Sequence, residues 1–165
     1  MTLNRLFDLF FKNIKKVGKS QFFRAKFYAT NYASKYDIDD RLMLFEAFSG
    51  DDFSGNPFYV FENIYNDKKF RDYKKVIAVN DFSIAKVKAL LDNYGFKDNV
   101  KIVQKNSPAY CRALTTAKYL VNNVAFPTYF IKREGQIYLN TWHGTPLKGL
   151  GRSIKDNRNS IGNVQ

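Results

Sequence analysis

Short apolar segments alternate with helical patterns after residue 40, and this alternation constrains the fold more than any other feature of the chain. Strands that alternate with crossover helices predict a mainly parallel sheet with helices on both faces. We therefore expect an α/β fold with a Rossmann-like arrangement. The predicted strands are residues 42–48, 76–79 and 100–103, and the predicted helices are residues 57–66, 83–93 and 108–121.

The last part of the chain departs from this alternation. Residues 126–133 and 136–141 are two strand-like runs that only Glu134 and Gly135 separate. A two-residue connection leaves no room for a helix and is typical of a β-hairpin. The sequence therefore predicts a hairpin after the last helix.

The only histidine of the chain, His143, follows the second of these runs, with the only tryptophan, Trp142, before it and Gly144 after it. An imidazole accepts and returns a proton near neutral pH, and a neighbouring glycine lets a substrate come close. In open α/β sheets, ligands bind beyond the carboxyl ends of the strands. This position indicates a reactive histidine, and a buried structural histidine is the alternative interpretation.

The charge of the chain indicates an anionic partner. Lys and Arg number 27 against 15 Asp and Glu, which gives a formal net charge of +12. Residues 1–36 alone carry eight basic side chains and one acidic side chain. Such a charge is typical of proteins that bind phosphate polymers, nucleic acids or lipid surfaces.

Apolar residues within this basic segment recur at three- and four-residue spacings, which predicts one apolar face of a helix. Charged residues interrupt the apolar run, so the helix is too polar to span a bilayer and is suited to its surface. A helix that packs on the rest of the protein is the alternative. The residues predicted to bind an anionic membrane surface are Phe7, Phe10, Phe11, Lys12, Lys15, Lys16 and Lys19.

Several motifs resemble one known family. The segment YLNTWHGTPLK (residues 138–148) looks like the signature of the CDP-glycerol glycerophosphotransferases, which prime and extend the polyol-phosphate chains of teichoic acids. The segments AKYLVNN (117–123), FPTYF (126–130) and FEAFSG (45–50), with Asn56 and Pro57, resemble other parts of these enzymes in the same order. The resemblance runs from about Arg41 to the last residue.

The resemblance implies a fold and a domain organisation. Members of this family are two-domain enzymes of the GT-B type, and their carboxy-terminal domain holds the nucleotide. The chain resembles only the amino-terminal part, so we expect a piece of a longer enzyme or a truncated gene product. Residues 1–36 are interpreted as a membrane-surface segment, and residues 41–165 as an incomplete Rossmann-like acceptor-side domain.

The resemblance also implies the chemistry. Glycerol phosphate would pass from CDP-glycerol to a lipid-linked acceptor with release of CMP, and His143 would be the catalytic base. Trp142, Gly144, Thr145, Lys148 and Asn123 are the candidate substrate- or phosphate-binding residues. Trp142 is interpreted as either a wall of the acceptor cleft or a core anchor, and Asn123 as either a support of the histidine loop or a structural cap.

No cofactor is expected in this chain beyond the CDP-glycerol donor of the whole enzyme, and a divalent metal is left open. The expected partners are an anionic membrane surface and a lipid-linked glycerol-phosphate acceptor, with a peripheral location at the cytoplasmic face of the membrane. Because no nucleic-acid motif is recognisable, nucleic acid is not an expected partner. The alternative function is a non-catalytic basic module that binds anionic lipid or a phosphate polymer.

Overall fold

The structure is a computed structural model that describes residues 19–144. Helix α1 (Lys19–Tyr28) continues into a π-helical turn (Ala29–Ala33), and a sheet with crossover helices follows. The remaining elements are β1 (Asp39–Glu46), α2 (Gly55–Asn66), β2 (Lys74–Val79), α3 (Ile84–Tyr94), β3 (Val100–Gln104), α4 (Pro108–Thr116), β4 (Ala117–Asn122) and β5 (Ile137–Asn140), with 3₁₀ turns at Phe48–Gly50, Lys68–Phe70 and Asp81–Ser83.

The five strands form one sheet in the order β3-β2-β1-β4-β5, and every neighbouring pair is parallel. The register places Glu46 opposite Asn122, and Asn122 opposite Asn140. Polar side chains therefore end three adjacent strands at the carboxyl edge of the sheet. The predicted α/β fold with a mainly parallel sheet is confirmed.

Each face of the sheet carries its own hydrophobic core, which is why the central strands are apolar on both sides. On one face, Leu44 and Leu120 pack with Tyr110 and Leu114 of α4 and with Tyr28 of α1. On the other face, the cluster combines strand residues with α2 and α3, and its members include Met43, Phe45, Phe58, Phe61, Ile77, Val87 and Leu91. The sheet is thus the middle layer of three.

Local signals place the end of α3 and the start of α4 where the sequence predicts them. Gly95 follows α3 with φ 71°, a left-handed conformation that glycine adopts without a Cβ clash. The side chain of Ser107 accepts a hydrogen bond from the amide of Tyr110, and Pro108 stands at the first turn of α4. The three predicted strands are confirmed, although β1 begins at Asp39 and ends at Glu46.

The predicted helix over residues 108–121 is too long. Helix α4 ends at Thr116, and β4 begins at once with Ala117. The side chains of Leu120 and Val121 enter the cores on opposite faces of the sheet, an alternation that only a strand provides. The helical pattern of α4 runs without a break into a short apolar strand, which periodicity alone does not separate from a helix.

The predicted hairpin of residues 126–133 and 136–141 is wrong. Strand β5 pairs parallel to β4, and residues 126–133 form an irregular connection between them. Phe126 is buried in the core beside α4, and Phe130 and Ile131 pack against it, so the connection buries its apolar side chains without a strand partner.

Side chains hold this connection in place of a strand ladder. The side-chain nitrogen of Gln136, Nε2, donates to the carbonyls of Leu114 (3.0 Å) and Ala117 (2.8 Å). The side-chain oxygen, Oε1, accepts from the backbone amide of Arg133 (3.0 Å). Arg133 donates to the carbonyls of Tyr36 (2.7 Å) and Thr115 (3.0 Å). These contacts fix where β5 starts, and hence where it ends.

Of the residues predicted to bind a membrane, Lys19 is the first residue of α1, and the other six lie outside the described residues. Tyr28, Ala29 and Ala33 are buried in the core beside α4. No helix among residues 19–144 is sufficiently long and apolar to cross a bilayer. The division into residues 1–36 and 41–165 stays a prediction.

Candidate active site

His143 lies three residues beyond the end of β5, at the carboxyl edge of the sheet, and its side chain is exposed. Its ring centroid is 6.4 Å from that of Trp142, with the rings tilted by 37°. Trp142 is 45% exposed, so the interpretation of this residue as a core anchor is wrong. Both rings, together with Gly144, are available to a ligand at the edge where α/β folds bind ligands.

The turn that carries His143 has an unusual backbone. Trp142 has φ 58°, a left-handed conformation that costs a residue with a Cβ about 1 kcal/mol or more. Its amide donates to Oδ1 of Asn140 (3.0 Å), and the side-chain amide of Asn140 donates to the carbonyl of Val124 (2.7 Å). Asn140 thus fixes the turn to the loop that follows β4.

Strand β4 holds the same turn through Asn122, its last residue. The carbonyl of Asn122 accepts from the amide of Thr141 (2.7 Å), and its side-chain oxygen accepts from the hydroxyl of Tyr138 (2.9 Å). Burial raises the pKa of the Tyr138 hydroxyl, which keeps it a proton donor. The polar ends of β4 and β5 therefore form one hydrogen-bonded unit that supports the turn leading to His143.

Asn123 supports the loop after β1 and not the histidine loop. It is buried, and its Oδ1 accepts a hydrogen bond of 2.8 Å from the amide of Phe48. The structure thus places Asn123 against the loop after β1, in a structural role that resembles a cap.

That loop is the 3₁₀ turn Phe48–Gly50, where three consecutive residues have positive φ values of 46°, 56° and 87°. Nζ of Lys105 donates to the carbonyl of Ser49 (2.6 Å) and lies 2.9 Å from Oε1 of Glu46. Tyr110 donates to Oε2 of the same carboxylate (2.6 Å). A buried ion pair therefore lies directly behind the loop.

Burial is the main influence on the protonation of this cluster. It raises the pKa of Glu46, although Lys105 and the Tyr110 hydroxyl act in the opposite direction. Burial also raises the pKa of Tyr110, so that its hydroxyl remains the donor to Glu46. Neither Glu46 nor Lys105 was predicted as a site residue. Glu46 could have been identified as a glutamate that directly follows the apolar run of β1.

One helix outside the histidine segment also contacts the turn. Asn56, in the first turn of α2, donates from Nδ2 to the carbonyls of Thr141 (2.9 Å) and Trp142 (3.0 Å). In the sequence, Asn56 stands out only as part of a motif that resembles the family. Its distance of 85 residues from Thr141 explains why no local pattern could reveal this contact.

Two predicted phosphate-binding residues, Thr145 and Lys148, lie outside the described residues. Among residues 19–144, no group of three His, Cys, Asp or Glu side chains is arranged to hold a metal ion. The described part of the site thus consists of an exposed imidazole, an exposed indole and a supporting layer of asparagines.

Comparison with known proteins identifies the family. The model of the CDP-glycerol:poly(glycerophosphate) glycerophosphotransferase family matches residues 26–165. The chain belongs to this family. The glycerophosphotransferase resemblance drawn from the histidine segment and its companion motifs is thereby confirmed.

The chain is 31% identical over 129 residues to the teichoic acid poly(glycerol phosphate) polymerase of Staphylococcus epidermidis, and the match covers 74% of this chain and 16% of the polymerase. It is also 31% identical over 117 residues to the teichoic acid glycerol-phosphate transferase of Staphylococcus aureus, covering 70% of this chain and 27% of the transferase. The chain thus spans 16% to 28% of the length of the curated relatives it matches.

Among solved structures, the wall teichoic acid polymerase TagF superimposes on this chain with a TM-score of 0.61 and 26% sequence identity. The superposition covers 93% of this chain and 34% of the polymerase. The prediction of a Rossmann-like, GT-B type fold is confirmed.

Proposed function

We propose that this chain is the acceptor-side part of an enzyme that transfers glycerol phosphate from CDP-glycerol to a lipid-linked acceptor and releases CMP. Family membership and the names of the relatives support this reaction class. The observation that carries the assignment to this chain is the position of His143. It is the only imidazole of the sequence, and it is exposed at the carboxyl edge of a parallel sheet.

In the proposed reaction, a terminal hydroxyl of the acceptor attacks the β-phosphorus of CDP-glycerol. The new oxygen–phosphorus bond forms as the bond to CMP breaks, and His143 takes the proton of the hydroxyl. A positioned base of this kind contributes roughly 10²- to 10⁴-fold to a rate. The negative charge on the transferred phosphate needs positive charge or amide donors nearby, and Lys148, Thr145 and Gly144 are proposed for that role.

The first test uses the full-length protein that contains this sequence. CMP release from CDP-glycerol is measured with a lipid-linked glycerol-phosphate acceptor for the wild type and for His143→Ala. We expect transfer by the wild type and a loss of at least about 10²-fold in the variant. Undiminished transfer by His143→Ala would remove this residue from the mechanism, and no transfer by the wild type would overturn the proposed reaction.

A second test separates the acceptor from the donor in the 165-residue chain. Resonances of Trp142 and His143 are followed while a soluble glycerol-phosphate oligomer or CDP-glycerol is added. The acceptor-side assignment predicts that the oligomer shifts both signals and that CDP-glycerol does not. A response to CDP-glycerol alone would contradict this assignment.

A membrane-surface role is the second candidate function, and α1 favours it. Phe27 is 60% exposed, and Arg24 and Lys26 are exposed on the same helix. An exposed aromatic ring between basic side chains suits the interface of an anionic bilayer. We propose that the chain attaches peripherally to such a surface, at the cytoplasmic face of the membrane.

Sedimentation with vesicles tests the attachment. Because Tyr28 and Ala33 belong to the core, the charge-reversed variant Arg24→Glu/Lys26→Glu is preferable to deletion of residues 1–36. We expect the wild type to bind anionic vesicles more strongly than zwitterionic vesicles, and the variant to bind less. The matched control Lys68→Glu/Lys69→Glu reverses two charges on the turn before β2. Equal binding by both variants would contradict a role for this face of α1.

A further inference from the structure

The turn between β5 and His143 needs contacts that hold it in an unfavourable conformation. The left-handed φ of Trp142, 58°, is disfavoured for any residue with a Cβ, and such residues persist only where their surroundings fix them. The direction in which the following side chain, His143, leaves the turn depends on this backbone angle. Contacts to Trp142 therefore govern the position of the imidazole.

Asn56 supplies such contacts from a distant part of the chain. Its Nδ2 donates to two successive carbonyls, those of Thr141 (2.9 Å) and Trp142 (3.0 Å). Two bonds from one planar amide fix the orientation of both peptide groups, and the second of these peptide groups joins Trp142 to His143. Asn56 thus acts on the peptide unit that carries the imidazole.

The support of Asn56 is itself rigid. Pro57, the next residue, is buried and has a fixed φ near the start of α2. On the other side, Gly55 has φ 64°, and a Cβ there would stand 3.4 Å from the ring of Phe48. Asn56 therefore stands between a proline that fixes the start of α2 and a glycine that leaves room for the ring of Phe48.

Asn56 contributes little to the fold itself. Its side chain is exposed, and exposed hydrogen bonds to water and to protein have similar free energies. Loss of this amide leaves two carbonyls that water can reach. The contact is consequently better explained by the geometry of the turn than by stability.

We propose that Asn56 is a positioning residue that holds the His143 turn in the conformation required for transfer. The proposal rests on the proposed function of His143 as the base. Asn56 does not touch the reacting atoms, and its effect passes through the peptide groups of Thr141 and Trp142.

The chain provides two unique probes of this turn, because it contains one tryptophan and one histidine. Asn56→Leu has nearly the same shape as asparagine and removes the amide donor without adding charge. The matched control is Asn63→Leu, since Asn63 is exposed on the same helix and donates to the carbonyl of Tyr59 (2.7 Å) within that helix. Both variants should unfold at nearly the same urea concentration as the wild type.

Indole and imidazole resonances and acrylamide quenching of Trp142 fluorescence then report the turn. We expect Asn56→Leu to shift or broaden both signals and to increase the quenching, whereas Asn63→Leu leaves them unchanged. Identical signals in Asn56→Leu and the wild type would overturn the proposal.

The final test measures transfer kinetics in the full-length protein that contains this sequence. Misplacement of a catalytic group by about 1 Å can cost roughly 10²-fold, so kcat of Asn56→Leu should fall at least about tenfold while KM for CDP-glycerol stays constant. If Asn56→Leu shifts the signals of the turn but keeps the wild-type kcat, while His143→Ala is inactive, the positioning role of Asn56 would be overturned. An active His143→Ala would instead overturn the proposed base and leave the spectroscopic result on Asn56 intact.

Discussion

Tyr110 donates a hydrogen bond of 2.6 Å to Oε2 of Glu46, although 64 residues separate them along the chain. Lys105 lies 2.9 Å from the other oxygen of the carboxylate, so α4, β1 and the residue after β3 meet at one buried group. Removal of one partner from such a cluster leaves the others without compensation. The carboxyl edge of the sheet thus depends on an ion pair that no local pattern predicts.

The variant Lys105→Gln should lose about 3 kcal/mol of unfolding free energy, because it leaves the buried carboxylate of Glu46 without a counter-charge. The double variant Glu46→Gln/Lys105→Gln should recover part of this loss. Urea denaturation of the wild type, both single variants and the double variant measures the coupling. Strictly additive effects would show that the two side chains do not interact.

Glu46 should also make stability depend on pH. Burial raises its folded pKa above the ordinary value of 4.5, so the folded state binds this proton more tightly than the unfolded state. The contribution is therefore fully present below pH 4.5 and is lost as the pH rises through the folded pKa. The contribution of Glu46 is measured as the unfolding free energy of the wild type minus that of Glu46→Gln. This difference should decrease as the pH rises. A difference that grows with pH would contradict the predicted sign.

Gly50→Ala should destabilise the fold more than Gly95→Ala. Both glycines have positive φ, 87° and 71°, so each alanine costs about 1 kcal/mol in backbone strain. A Cβ at Gly50 would also stand 3.1 Å from the amide nitrogen of Asn80 and from Cδ of Lys105, whereas nothing lies within 4 Å at Gly95. Thermal unfolding measures how much more stability Gly50→Ala loses than Gly95→Ala. Equal losses of stability would indicate that the loop at Gly50 adjusts freely.

Gln136→Leu should cost about 2 kcal/mol, since the carbonyls of Leu114 and Ala117 and the amide of Arg133 lose their partner. Because Gln136 fixes the start of β5, the environment of Trp142 should change as well. Unfolding free energy and Trp142 fluorescence report the two effects. Gln104→Leu, on the exposed side of β3, is the control and should change neither.

The order of strands and helices from β1 to β3 could be predicted because each strand is a short apolar run and the helices are bounded by recognisable signals, such as Gly95 after α3. His143 could be selected because a histidine between tryptophan and glycine is unusual even without a structure. The boundary at Thr116 could not be found, since the short strand β4 continues directly from α4. Periodicity requires a longer segment to distinguish the two.

The sequence alone determined the α/β class, the family and the position of His143 after a strand, because these depend on composition and on contiguous motifs. Only the tertiary structure decided that β5 runs parallel to β4, that Asn123 supports the loop after β1, and that Asn56 and Glu46 contribute to the site. Each of these decisions involves groups 16 or more residues apart, such as Tyr138 and Asn122. These groups come close because apolar side chains are buried around a parallel sheet. Local patterns in the sequence do not predict such contacts.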